Sequence, residues 1–201
     1  MADAMQAAKE RFEKDTAEHK LAIQYDDGFY RHLRFSKPGT VIYGYSIATW
    51  PGYLAIAGDI PTYIFTRQID MFTFFEGCGP TPDPVYLSGK LSGEFKTKRY
   101  SPEAFKRRVK EWLDQQLCEM DDDRQRDFLH DAVQRDLLCR TPGFQEEALP
   151  LLEGFSAEAD FMECRTIRDS FEWDLTEWDS SFLWCLWAIV AGVKQYREAT
   201  S

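Results

Sequence analysis

The sequence predicts an α+β protein, a mostly antiparallel sheet followed by helices packed against it. Three observations carry that prediction. Residues 21 to 67 form short runs rich in β-branched and aromatic side chains, each bounded by turn formers. Residues 101 to 140 repeat apolar positions at helical spacing behind good capping residues. The stretch FLWCLWAIVAGV, residues 182 to 193, is apolar on nearly every side, as expected of a helix central to a core.

Along the chain, residues 2 to 20 are rich in Ala, Lys and Glu with few and small apolar positions, which predicts a surface helix. The runs LAIQY, FYRHLRFS, TVIYGYSIATW, YLAIA and TYIFTR follow, separated by DDG, KPG, Trp50-Pro51-Gly52 and Gly58-Asp59-Ile60-Pro61. This is the pattern of an antiparallel meander of four or five strands. In it Asp59 reads as a turn residue beside its glycine rather than as a catalytic acid. QIDMFTFFEG places Ile69, Phe72 and Phe75 on one helical face and ends at Gly77, predicting a short helix. The Pro- and Gly-rich segment after it offers one further edge strand around VYLSG or GEFKT.

Ser101-Pro102-Glu103 is an N-cap with proline at the first helical position, and Phe105, Val109, Trp112 and Leu113 make an apolar stripe to about Met120. Asp121, Asp122 and Asp123 favour the positive end of a second helix, with Phe128, Leu129, Ala132, Val133 and Leu137 on one side. FQEEALPLLEGF suggests a shorter helix interrupted by Pro150. SAEADFMECRTIRDSFEW reads as neither state. With no repeat or low-complexity linker, the 201 residues are expected to form a single domain: a surface helix over 1–20, a β-rich part over 21–100 and a helical part over 101–201.

Five cysteines with no CxxC pair read as reduced thiols. The charged N-terminal twenty residues lack the apolar centre of a signal peptide, and twelve apolar residues fall short of a membrane span. A cytoplasmic protein with no membrane partner is expected. The net charge of −10 is uneven: residues 111 to 180 hold 6 Lys and Arg against 20 Asp and Glu. Such a segment repels a phosphate backbone and attracts basic surfaces, so a protein partner is expected and direct nucleic-acid binding is not.

The sequence has no GxSxG elbow, phosphate loop, GxGxxG or HExxH. No catalytic residue, metal or cofactor is therefore expected. Asp123, Asp127, His130 and Asp131 gather on one helical stripe, but opposite the apolar one, where a solvated face is the ordinary outcome. In FEWDLTEWDSSF, Glu172, Asp174, Glu177 and Asp179 interleave with Phe171, Trp173 and Trp178. That strip admits two readings: aromatic anchors flanked by steering charge, or aromatics on the core with carboxylates in water. The basic group Lys90, Lys96, Lys98, Arg99, Lys106, Arg107, Arg108 and Lys110 is expected to pair with the acidic half.

TWPGYLAIAGDIPTYIFTRQIDMFTFF, VYLSGKLSGEFKTKRYSPEAFKRRV and SFLWCLWAIVAGVKQYRE together resemble a family of bacteriophage and prophage proteins. Its members carry a Trp-Pro-Gly turn, a Gly-Asp turn before Tyr-x-Phe, an Asp-Met-Phe helix and a Trp-Cys terminal helix. The resemblance runs from about Gln24 to Tyr196 and transfers no catalytic assignment. It implies an accessory gene of a mobile element acting in the bacterial cytoplasm, a setting in which inhibitors of host defence, anti-CRISPR proteins among them, are common.

The expected function is thus a non-enzymatic inhibitor that covers the nucleic-acid-binding surface of a bacterial defence effector. The contact residues expected are Asp121, Asp122, Asp123, Asp127, Glu172, Trp173, Asp174, Glu177, Trp178 and Asp179. The alternatives are a small enzyme or sponge for a nucleotide signal, lined by Asp59 and the basic residues 90 to 110, and a phage regulatory or assembly component.

Overall fold

A computed structural model describes residues 2–201. The fold is α+β, and the chain divides into two compact units, one made of residues 1–97 and 178–201 and the other of residues 98–177. The final helix belongs to the same unit as the sheet, as expected of the apolar element that the sheet covers. Each unit has its own apolar core.

The first unit opens with Ala2–Asp15 (α1), followed by Lys20–Asp27 (β1), Tyr30–Ser36 (β2), Tyr45–Trp50 (β3), Tyr53–Gly58 (β4) and Ile60–Thr66 (β5). The five strands form an antiparallel meander in chain order. Alternation along the strands turns Leu33, Phe35, Tyr45, Ile47, Leu54, Ile56, Tyr63 and Phe65 into one buried face. Registration stacks them in rows, with Leu33, Ile47, Ile56 and Tyr63 side by side. The β5 edge is covered by residues 90–92: Thr66 N donates to Lys90 O and Ser92 N to Ile64 O, each at 2.8 Å.

Met71–Gly77 (α2) is capped by Asp70, whose carboxylate accepts from Phe72 N. Met71, Phe72, Phe74 and Phe75 are buried, whereas Ile69 precedes the helix and is exposed. VYLSG is not an edge strand but lies in a short helix, Pro84–Ser88 (α3), because Asp83 caps it and Pro84 takes the first turn.

In the second unit Lys98–Tyr100 (β6) precedes Pro102–Cys118 (α4), with the Ser101 hydroxyl accepting from Ala104 N as expected. Asp123–Val133 (α5) continues into a π-helical turn over Gln134–Leu138. Gln145–Glu153 (α6) runs through Pro150 without a break, its buried face formed by Ala148 and Leu152. The unassigned stretch after it is a hairpin of Ser156–Ala159 (β7) and Met162–Thr166 (β8), then a 3-10 turn at Ser170–Glu172. Thr176–Trp178 (β9) pairs with β6.

Ser180–Thr200 (α7) returns to the first unit and lies under the sheet, with every residue from Phe182 to Ile189 buried. It touches α1, α2, β1 and β5. The N-terminal helix exposes most of its surface but buries one stripe, Met5, Ala8 and Phe12, with Phe12 edge-on to Trp184 at 5.2 Å. Trp187 Nε1 also donates to Met5 O at 3.1 Å. No helix among the described residues is long and apolar enough to cross a membrane.

Gly192 sets how closely α7 approaches the sheet. A Cβ there would lie 2.6 Å from Ile47 Cδ1 and 3.0 Å from Phe35 Cζ, and both side chains are fully enclosed and cannot swing away. Gly192→Val is expected to lower stability by about 1–3 kcal/mol through overpacking, read as a fall in the urea midpoint of unfolding.

Candidate functional site

The second unit carries 12 Lys and Arg against 20 Asp and Glu. Its clearest acidic surface is the solvent side of α5. Asp122 is the N-cap, its carboxylate accepting from Arg124 N at 2.8 Å. Asp121, Asp123 and Asp127 are exposed and make no ion pair or side-chain hydrogen bond to another described residue. Asp123, Asp127 and Asp131 recur every fourth residue, so they share one face. The opposite face buries Leu129, Ala132 and Val133. Carboxylates at this end of a helix are favoured by the backbone dipole, so the charge there adds to helix stability instead of opposing it.

The aromatic-acidic strip is mostly occupied internally. Trp173 is half-buried against the second core, with the Arg108 guanidinium 5.4 Å over its ring. Asp174 caps the turn into β9 by accepting from Thr176 and pairs with Lys98 at 3.0 Å. Those two bonds, Thr176 first, pull its carboxyl down to about 2. Glu177 accepts from Arg107 at 3.0 Å and from the Ser101 hydroxyl at 2.8 Å. The Arg107 contact leads in holding it below the usual carboxylate range, with Ser101 adding to it against partial burial.

Within the first unit, Trp178 stacks on Phe182 at 5.9 Å. Asp179 is buried and caps α7 by accepting from Ser181 N at 2.7 Å. It holds the helix start rather than presenting a carboxylate to solvent. Of the strip's expected contact residues, only Glu172, in the 3-10 turn beside exposed Phe171, points to solvent without an ion pair to another described residue. Three members of the basic group pair with the acidic segment, Lys98 with Asp174, Arg107 with Glu177 and Arg108 with Glu111 at 2.7 Å, whereas Lys106 pairs with Glu103, outside that segment, at 3.9 Å. Lys90 instead lies 4.7 Å over the Tyr86 ring.

The Gly58-Asp59 corner turns the backbone. Gly58 sits opposite Tyr45 at φ +149°, and a Cβ on it would overlap the Gly44 carbonyl oxygen and lie 2.8 Å from Tyr45 Cα. Asp59 fastens the preceding loop: its side chain accepts from Tyr43 N and its own N–H donates to Gly44 O, each at 2.9 Å. The pocket beside it, about 70 Å³, is far smaller than the roughly 300–1,000 Å³ of ligand sites.

Two features of the first unit are not announced by any local motif. The first is an ion cluster centred on the buried Arg31. Arg31 donates to both Asp70 oxygens, at 2.9 and 3.4 Å, and lies over the Phe72 and Tyr196 rings. The Tyr196 hydroxyl donates to Asp26, and Arg197 makes a two-pronged contact with Glu76. The members come from β1, β2, α2 and α7, separated by up to 170 residues, so only the fold assembles them. These contacts tie β1, β2, α2 and α7 together, with the buried Nε of Arg31 left without a hydrogen-bond partner among the described residues.

The second is a groove of about 620 Å³ between α1, the end of α2 and the C-terminal half of α7. Phe12, Phe75, Trp187, Val190, Ala191 and Val193 line it, and its rim charges are already matched as Lys9–Glu13, Lys194–Glu198 and Arg197–Glu76. The basic residues 90 to 110 line neither this groove nor the pocket at Asp59. Among the described residues no group of three or more His, Cys, Asp or Glu is placed to hold a metal ion.

Comparison of the chain with protein-family models, with characterised proteins and with solved structures finds no match.

Asp174 ionises in the folded protein at about 2, well below the roughly 3.9 of an unfolded aspartate. Its stabilisation is therefore complete above the unfolded value and is lost as pH falls through about 2. Asp174→Asn is expected to lower the stability of the second unit at neutral pH and to flatten its acid dependence between about 4 and 2. Thermal melts of both proteins across that pH range check this.

Proposed function

We propose that this chain is a non-catalytic, phage-borne binding protein whose acidic second unit covers a basic, nucleic-acid-binding surface of a bacterial defence effector. The observation that carries the proposal is the solvent face of α5, where Asp121, Asp123 and Asp127 stand exposed with no internal cation while neighbouring carboxylates of the same unit are paired. Unmatched negative charge on a folded helix is what a cationic surface recognises. It speeds encounter and fixes orientation more than it adds affinity. Glu172 and Phe171 are further exposed residues of the same unit, whereas Asp174 and Glu177 hold its turns and helix start from within.

The groove of the first unit favours a second reading, in which the protein binds a small molecule. Its matched rim leaves no free cation for a phosphate, so an uncharged ligand suits it better than a nucleotide. A thermal-shift panel separates these cases: stabilisation by neutral apolar compounds and not by nucleotides supports the groove reading, and the reverse removes it.

For the leading reading, the tagged protein is used to capture partners from nuclease-treated bacterial lysate carrying several defence systems. A stoichiometric effector released by salt is expected. The triple variant Asp121→Lys, Asp123→Lys, Asp127→Lys is expected to bind that effector roughly tenfold or more weakly, with a shallower salt dependence, and to melt a few degrees lower because lysines at the start of α5 oppose its dipole. Equal affinity of variant and parent removes this face from the interface.

A further inference from the structure

The meander has one covered edge and one open one. Residues 90–92 cap β5, but beyond its ladder to β2 no backbone N–H or C=O of β1 has a backbone partner among the described residues. Seven of the eight β1 residues are exposed, and Ile23 and Tyr25 are among the large apolar side chains left in solvent. An open edge of this length is a template for another strand, which proteins ordinarily guard with charge or a bulge. Both devices are present here, and their arrangement is self-complementary.

An eight-residue strand without irregularity puts its first and last side chains on opposite faces. In β1 the extra residue Gln24, between Ile23 opposite Leu33 and Tyr25 opposite His32, reverses that parity. Lys20 opposite Ser36 and Asp27 opposite Tyr30 consequently project on the same, open face of the sheet. The two ends of the edge thus carry opposite charges on one side. Lys20 has no ion pair to another described residue, and Asp27 accepts only a long hydrogen bond from Tyr25, at 3.4 Å.

We propose that β1 pairs antiparallel with β1 of a second copy of this chain, around a two-fold axis between Ile23 and Gln24. In that register Lys20 of each copy lies opposite Asp27 of the other, and Ala22 lies opposite Tyr25. Directly opposed residues of an antiparallel pair share a face, as these do, so both charge pairs and both apolar pairs form at once. The contact is isologous and closes after two copies. The same charges disfavour pairing with an edge of uniform sign, so the guard against other strands is the code for this one. Two meanders joined in this way make a continuous ten-stranded sheet. The contact is narrower than a standard interface, so exchange between one and two copies depends on concentration.

The test uses the full chain. Sedimentation velocity over a wide concentration range is expected to show the mass rising from one chain to two, and amide exchange is expected to slow in β1 as concentration rises. Lys20→Asp and Asp27→Lys, both at exposed positions, each place two like-charge pairs across the axis and are expected to weaken self-association roughly tenfold. The first variant is acidic at both ends of the edge and the second is basic at both. Mixed together they oppose acid to base at both ends, so the mixture is expected to form a mixed dimer. Circular dichroism establishes that each variant is folded. A parent chain that stays single at every concentration overturns the proposal. So does a dimer that either variant retains alone, or a mixture that fails to associate.

Discussion

The first unit depends on burying a helix that is apolar on all sides. An amphipathic helix needs one partner surface, but α7 exposes no polar stripe between Phe182 and Ile189 and must be enclosed. The sheet supplies one wall, and Gly192 lets it come close enough for Ile47 and Phe35 to reach the helix backbone. The remaining walls are α1 and α2, which explains why Met5, Ala8 and Phe12, a thin stripe in isolation, are fully used. Enclosure also reaches the polar groups. Cys185 has its thiol pushed well above its ordinary range by burial, which makes it a small apolar filler rather than a nucleophile. The start of the helix must be satisfied internally, and Asp179 does this from a buried position.

The meander was readable because its turns are punctuated by residues with few other uses. Gly58 is the clearest case, since its backbone occupies a conformation, and a space beside Gly44, that a side chain cannot share. Where sequence reading missed, a tertiary partner or an overlooked local signal decided. The α1 stripe gains meaning only from α7. The Asp83-Pro84 pair was a helix-start signal inside a segment whose glycines and prolines suggested a strand or a loop. At Pro150 the expectation of a break gave way because Ala148 and Leu152 anchor the helix on both sides of it.

The acidic face of α5 was legible because its carboxylates follow a local period opposite an apolar one. The aromatic-acidic strip was less so, since sequence shows which side chains alternate but not which find partners: Ser101 and Arg107, 76 and 70 residues upstream, reach Glu177. The Asp-Ser-Ser start before the apolar run was a capping signal for Asp179 that the charge pattern of the strip masked. The Arg31 cluster and the groove left no local trace, because each is assembled from elements distant in the chain.

The interruption of the first unit by the second has a consequence for biosynthesis. The sheet and α1 are complete by residue 97, but the helix that fills their apolar side comes only after residue 177. During translation the meander must wait with that side uncovered while eighty further residues emerge, enough for the second unit, with its own core, to form first. A nascent chain stalled before α7 would thus expose the apolar side of its sheet, and the emergence of α7, more than the pairing of strands, would time the completion of the first unit.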